Sequence, residues 1–328
     1  MGQKLLTVSI AAYNVEKYIE ECLESFSDDR FADSLEVIVV NDGSKDNTLS
    51  IAQKYAEKYS SIIKVIDKEN GGWGSTINAA TKVATGKYFK HLDGDDYFNK
   101  EALIQFLDYI KNEESDLVFT DYKTFDDISG DEIAKLIVLD GVESPIIGQK
   151  DILGLKEYHF GMHSMCIKTE LIREIGLEEH CFYVDDEFVL KMISQSNSYS
   201  YYPSLYVYMY RLGREGQSVS IAGLVKHADE LERIFYKCMN YYNNAGISEG
   251  KKQVLNTLFN RTIGVRYICF LHLPISRVNK NRLRKFDNYV TVNYPSYKPQ
   301  GSIIPLLRKT NCRLYLLLAL YIRITKTV

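Results

Sequence analysis

Four times in the first hundred residues an apolar run of strand length stops at a polar turn. Leu5–Ala11 stops at Tyr13-Asn14, Leu35–Val40 at Asn41-Asp42-Gly43-Ser44, Ile62–Asp67 at Asn70-Gly71-Gly72-Trp73-Gly74, and Lys87–Leu92 at Asp93-Gly94-Asp95-Asp96. Apolar residues at helical spacing follow the first two: Val15, Ile19, Cys22, Leu23 and Phe26, then Leu49, Ala52, Ala56 and Tyr59, with Asp46 the expected N-cap of the second helix. Asp116–Tyr122 reads as a further strand. Strands alternating with helices predict an α/β fold with a parallel, doubly wound sheet. In such a sheet ligands sit beyond the carboxyl ends of the strands, which is where all four polar clusters fall.

The last cluster packs three carboxylates into four positions behind a buried strand. Crowded like charges repel and lose hydration, so they persist most readily where a cation offsets them. Oxygen ligands suit Mg²⁺ or Mn²⁺. The competing reading is an acidic turn in which Asp96 caps the next helix. Taken together, the clusters look like a nucleotide site: an acid for a base or ribose, backbone N–H groups from a glycine loop, and a metal seat for a diphosphate.

Composition narrows the class. At 328 residues, 45% hydrophobic and 25% charged, the chain is an ordinary globular one. Six scattered cysteines without a CxxC pair read as reduced thiols of a cytoplasmic protein, not as a disulfide frame or zinc site. The opening Met1–Ala12 stretch runs straight into a helical pattern and reads as a first strand rather than a signal peptide, and Leu6 breaks the myristoylation pattern. From about Ala222 long helical patterns take over. The expected domains are therefore 1–220, divided into a nucleotide-sugar half (1–115) and an acceptor half (116–220), and a helical C-terminal region, 221–328.

The ordered motifs are more specific than any one of them. Val8-Ser-Ile-Ala-Ala-Tyr-Asn14, Val39-Val-Asn-Asp-Gly-Ser-Lys-Asp-Asn-Thr48, Glu69-Asn-Gly-Gly-Trp-Gly-Ser-Thr-Ile-Asn78 and Leu92-Asp-Gly-Asp-Asp96 resemble those of family 2 glycosyltransferases of the bacterial polysaccharide-building type. The resemblance covers roughly residues 5–218. It implies a GT-A fold, a Rossmann-like mixed sheet followed by a helical C-terminal region, and an inverting transfer from a nucleotide-diphosphate sugar, with uridine the expected base. Carried over by residue, it implies that Ala11, Tyr13 and Asp42 contact the base, with Asn14, Gly71, Gly72 and Asn78 around the donor. Asp93 would face the ribose or phosphate, and Asp95, with Asp93, would hold Mn²⁺ or Mg²⁺. Two positions depart from the pattern: Asn41 replaces an acid, and Ile77 stands where many relatives carry Arg.

An inverting transfer also needs a base to take the proton from the acceptor hydroxyl. Phe182-Tyr-Val-Asp-Asp-Glu-Phe188 resembles the family's Glu-Asp motif, which assigns Asp186 as base and Asp185 as its support. Acids in a first helical turn are also favoured by the helix dipole alone. Tyr208–Ser218 resembles the end of the catalytic domain, with Arg211 and Arg214 as a diphosphate clamp or as a solvated loop. Trp73 is an acceptor-stacking candidate and His163 an acceptor contact; packing is the alternative for both.

Between Arg277 and Val328 there are eleven Lys+Arg against one acid, Asp287, around the apolar run Leu314–Ile322. That run is too short to span a bilayer. It suits a segment lying on an anionic membrane surface, or else a helix packed on the protein or on a second copy in a homodimer. No nucleic-acid motif accompanies the charge. The implied function is sugar transfer to a saccharide acceptor, lipid-linked, at the inner membrane face. A protein or teichoic-acid-type acceptor is the alternative within the class, and a sugar-phosphate nucleotidyltransferase, which makes the activated sugar, lies outside it.

Overall fold

The computed structural model describes residues 3–150, 161–214 and 217–325. Outside them lie the first two residues of the opening stretch, Glu215 and Gly216 of the Tyr208–Ser218 motif, and Lys326 of the basic tail. The chain forms two compact units, Met1–Arg214 and Glu215–Val328.

The first unit is α/β. Its strands are β1 (Leu6–Ala12), β2 (Leu35–Asp42), β3 (Ile63–Lys68), β4 (Tyr88–Asp93), β5 (Tyr97–Phe98), β6 (Leu117–Thr120), β7 (Tyr122–Asp126), β8 (Glu132–Leu136), β9 (Ile146–Gln149), β10 (Met165–Lys168), β11 (Tyr199–Tyr202) and β12 (Tyr208–Leu212). Its helices are α1 (Ile19–Glu24), α2 (Thr48–Lys58), α3 (Trp73–Val83), α4 (Lys100–Ile110), α5 (Thr169–Ile172) and α6 (Asp185–Gln195). The large sheet runs β3-β2-β1-β4-β10-β6-β11-β9, and a small sheet runs β5-β12-β7-β8.

The first four strands of the large sheet are parallel, as their uninterrupted apolar runs predict. The sheet as a whole is mixed, not parallel: β10 enters between β4 and β6 antiparallel to both. After α4 the chain runs directly from β6 into β7, with no helix to carry a parallel crossover.

Register aligns the strand tips. Asp93, Ala11, Val40 and Ile66 form one cross-strand row, and Ala12, Asn41 and Asp67 the next. Helix starts differ from expectation in detail. Asp46 accepts the N–H of Thr48 (3.0 Å) while Asn47 precedes α2, and α4 is capped by Asn99, which accepts from Ala102 N–H (3.0 Å), not by Asp96.

The second unit is helical: α7 (Ile221–Lys226), α8 (Ala228–Asn244), α9 (Glu249–His272), α10 (Arg277–Asn293), α11 (Ile303–Lys309) and α12 (Tyr315–Thr325). Helix α12 buries Tyr315, Leu318, Ala319 and Ile322, spaced for one helical face, and leaves Leu316, Leu317, Leu320, Tyr321 and Ile324 exposed. Several cations of the basic stretch turn inward. Arg282 pairs with Asp229 and Glu232, Arg308 with the buried Asp287, and Arg323 donates to the carbonyls of Leu271 and Leu273. No helix of the described residues is long and apolar enough to cross a membrane.

Candidate active site

The glycine loop is held from beneath by Asp42. This buried carboxylate accepts the N–H groups of Gly71 (2.9 Å) and Gly72 (2.8 Å), pairs with Lys68 (2.7 Å) and takes a longer contact from Ser75 Oγ (3.3 Å). Gly72 has φ +81°, a conformation open to glycine, and a Cβ on Gly74 would stand 2.1 Å from the Glu178 carbonyl. The loop can therefore pass this close to the 177–180 segment only as glycine. Asn78 ties the same segment down: it donates to the Leu177 carbonyl (3.0 Å) and Glu179 Oε1 (2.9 Å) and accepts from Leu177 N–H (2.9 Å).

Asn41 donates to Asp67 Oδ1 at 2.7 Å, directly across the β2–β3 pairing. An acid at 41 would set two carboxylates face to face, so the amide removes a repulsion that the parallel register would impose. Ile77 is buried in the core. Tyr13 projects from the β1 tip with half its surface exposed (51%). Asn14, at φ +52°, accepts from Lys45 N–H (2.8 Å) and donates its own N–H to Ser44 Oγ (3.1 Å), so it joins the first two strand tips.

At the β4 tip the three acids have different surroundings. Asp93 Oδ1 receives Trp73 Nε1–H (3.0 Å) and lies 2.8 Å from Nε2 of buried His91. Burial works to raise its pKa, but His91, His163 and the Trp73 N–H outweigh it and hold the group below the usual range. Asp95 is raised by burial and by the charge of Asp93, against the pull of Arg214, whose Nε is 2.7 Å away. Asp96 is pushed far up by burial, Asp95 and Asp93; it accepts Tyr208 O–H (2.7 Å) and Arg211 N–H (2.8 Å). Burial and one another's charge raise two of the three carboxylates, so added positive charge would relieve the cluster.

Ligand atoms of Asp93, Asp96 and His163 lie within 4.8 Å of one another. With Asp95 alongside, these carboxylates and a ring nitrogen fit a divalent ion. Asp96 escaped the sequence reading of the metal seat, because a helix-capping acid and a buried one look alike in a string.

Arg211 is locked in place. It donates to the Asp95 carbonyl (2.7 Å) and to Asp127 (3.1 Å), bonds Glu21, and lies over the rings of Tyr18 and Phe125. Arg214, two residues past β12, is a quarter exposed. Trp73 directs its N–H into the Asp93–His91 pair and its ring edge onto Phe188 of α6 (5.5 Å). His163 stacks on Tyr210 (4.4 Å), and Lys90, buried in β4, donates to its carbonyl (2.8 Å).

Three acids open α6. Glu187 is withdrawn: buried, it accepts Glu178 N–H (3.0 Å) and pairs with Lys191 (2.7 Å). Asp185 contributes to the raised pKa of Tyr210, and Asp186 is half-buried beside it. Just upstream, His180 and Tyr183 adopt left-handed backbone (φ +52° and +61°), a strain that functional sites retain. The first turn of α6 thus adjoins the β4 tip through Phe188 and Trp73. Tyr18, His91, Lys68 and Asp127 carry no signal in the sequence, since each matters through a partner distant along the chain.

A mixed α/β sheet whose tips gather a glycine loop and an acidic turn is the architecture of a nucleotide-sugar-binding GT-A domain. The chain belongs to glycosyl transferase family 2, whose model matches residues 7–175. It is 28% identical over 288 residues to the poly(ribitol-phosphate) beta-N-acetylglucosaminyltransferase TarS of Staphylococcus aureus, an alignment covering 83% of this chain and 45% of that protein. It is also 28% identical over 224 residues to the poly(ribitol-phosphate) beta-glucosyltransferase of Bacillus spizizenii, covering 66% and 34%. The chain thus spans less than half the length of these relatives. The crystal structure of S. aureus TarS 1–349 in complex with UDP-GlcNAc shares the fold, with TM-score 0.66, 22% identity, and coverage of 97% of this chain and 91% of that one.

Proposed function

We propose that the chain is an inverting glycosyltransferase that moves a sugar from a UDP-sugar to a hydroxyl of a teichoic-acid-type polyol-phosphate polymer. The observation that carries this reading is the acidic turn Asp93–Asp96 beside both the glycine loop and the first turn of α6. The acceptor class comes from the relatives, which act on poly(ribitol-phosphate) by name. The family match favours sugar transfer over nucleotidyl transfer.

In this reading the exposed Tyr13 ring stacks on the base beside Ala11, and Asp42, through its hold on Gly71 and Gly72, shapes the loop along the diphosphate. Mn²⁺ or Mg²⁺ held at the β4 tip by Asp93 and Asp95, with Asp96 and His163 as the further donors gathered there, would neutralise charge building on the departing nucleoside diphosphate. Asp186 takes the proton of the acceptor hydroxyl as its oxygen attacks the anomeric carbon from the face opposite the leaving group, which inverts the centre. Asp185 orients the acceptor, and Arg214 meets the diphosphate while Arg211 anchors the acidic turn.

The test is transfer from a panel of UDP-sugars to a ribitol-phosphate oligomer with Mn²⁺, followed by NMR so that the product anomer is read directly. Opposite anomeric configuration and loss of nearly all turnover on chelation are expected. Turnover undiminished by chelator, or in Asp95→Ala, overturns the metal assignment; retained configuration overturns inversion.

The exposed face of α12 supports peripheral contact with an anionic lipid surface. Leu317→Glu with Leu320→Glu changes that face and leaves the packed one intact. Removing two leucines from an apolar interface costs roughly 3 kcal/mol or more, so binding to phosphatidylglycerol vesicles should fall by about a hundredfold. Unchanged sedimentation with vesicles removes the membrane claim, and a fall in oligomer size instead assigns the face to a second copy.

A further inference from the structure

The ion pair between Arg214 and Asp95 joins two residues to which the proposed function gives other partners. Arg214 Nε stands 2.7 Å from Asp95 Oδ2, and the two side chains are 28% and 15% exposed. The other acids of the turn have different company. Asp93 is held by Trp73 and His91, and Asp96 by Tyr208 and the Arg211 backbone. The neighbouring Arg211 bonds Glu21 and Asp127 and is stacked between Tyr18 and Phe125, so it has no freedom to move. Arg214 lies past the end of β12 and past Gly213, at φ +88°, and its guanidinium carbon is 5.8 Å from the centre of the Tyr18 ring.

We propose that Arg214 is an internal counter-ion that competes with the divalent cation for Asp95, and that it exchanges Asp95 for the donor diphosphate when cation and donor bind together. The inference rests on the assignment of Asp95 to the cation in the proposed function. The physics is a like-charge exclusion. A guanidinium and a divalent ion on one carboxylate repel each other, so each weakens the other's hold, whereas a diphosphate offers the displaced guanidinium several anionic oxygens in fork geometry. Cation and nucleotide therefore bind with positive coupling, each raising the affinity for the other. The donor-free protein holds the cation weakly, and so does not present a charged, open metal site to other phosphates.

The signs of the expected effects are opposite, which a merely structural role would not produce. Arg214→Gln should raise the affinity of the nucleotide-free protein for Mn²⁺ roughly tenfold or more and lower its affinity for UDP at saturating Mn²⁺ by a similar factor. Arg214→Lys, which keeps the charge, should leave nucleotide-free Mn²⁺ binding close to wild type and so controls for misfolding. Free Mn²⁺ is read by electron paramagnetic resonance in titrations of wild type, Arg214→Gln, Arg214→Lys and Asp95→Asn, without and then with UDP. If Asp95→Asn abolishes the UDP-dependent Mn²⁺ site but Arg214→Gln leaves nucleotide-free Mn²⁺ binding unchanged or weaker, the exchange is overturned and the metal assignment stands. If Asp95→Asn leaves Mn²⁺ binding intact in the presence of UDP, the assignment itself fails and the exchange with it.

Discussion

Asp186→Asn is expected to cut sugar transfer by about 10²–10⁴ while UDP binding stays near its wild-type strength. The substitution keeps the shape of the side chain and removes its ability to accept a proton. Of the three acids that open α6, Glu187 is already engaged by Glu178 N–H and Lys191, and Asp185 bears on Tyr210, which stacks against His163. Asp186, the proposed base, stands on a helix turn that adjoins the β4 tip through Phe188 and Trp73. Asp185→Asn should therefore cost less in turnover and more in acceptor KM. Loss of an acid from a first helical turn costs only about 0.3–1 kcal/mol of stability, so folding is spared. A fall in UDP affinity equal to the fall in turnover would mark Asp186 as a structural residue.

The frame of this site was legible because buried parallel strands read as unbroken apolar runs. Strands β1 to β4 fall within a residue or two of the runs that predict them, and their polar ends meet in cross-strand rows. The antiparallel insertion of β10 was not legible. Met165–Lys168 is a four-residue apolar segment, and nothing in its side chains reports which way it runs beside β4 and β6.

Legibility ends sooner at the side chains. Asp42, Asn78 and Trp73 sit in motifs that fit ligand contacts, yet the polar groups described for them bond to loop N–H groups, to the 177–179 segment and to Asp93. A polar residue at a strand tip has the same appearance in a sequence whether it faces a ligand or braces the loop that does. Likewise Arg211 and Arg214 are three residues apart in one motif, but only their distant partners, Glu21 and Asp127 for one and Asp95 for the other, tell the two cations apart. The basic C-terminal stretch illustrates the same limit: its single acid, Asp287, is buried between Tyr267 O–H and Arg308, so local charge counting overstates what reaches the surface.

Asp42→Asn should lower the melting temperature of the nucleotide-free protein, because the carboxylate is bonded from within before any donor arrives. Its two oxygens accept two backbone N–H groups and face Lys68 at 2.7 Å. An amide has one acceptor oxygen, so its N–H₂ must meet a glycine N–H donor to donor, and the Lys68 ammonium loses its counter-charge. Breaking a buried pair costs about 3–5 kcal/mol; Lys68 keeps a quarter of its side chain in solvent, which sets the expectation at the low end, about 3 kcal/mol. For a unit of some two hundred residues that corresponds to a drop of roughly 6–12 °C. The glycine loop, freed from its anchor, would lose its pre-set shape, so UDP affinity should fall together with stability, whereas Asp95→Asn should weaken Mn²⁺-dependent UDP binding with little change in melting. An Asp42→Asn protein that melts like wild type without nucleotide and loses only UDP affinity would show that the carboxylate acts on the donor itself rather than on the loop.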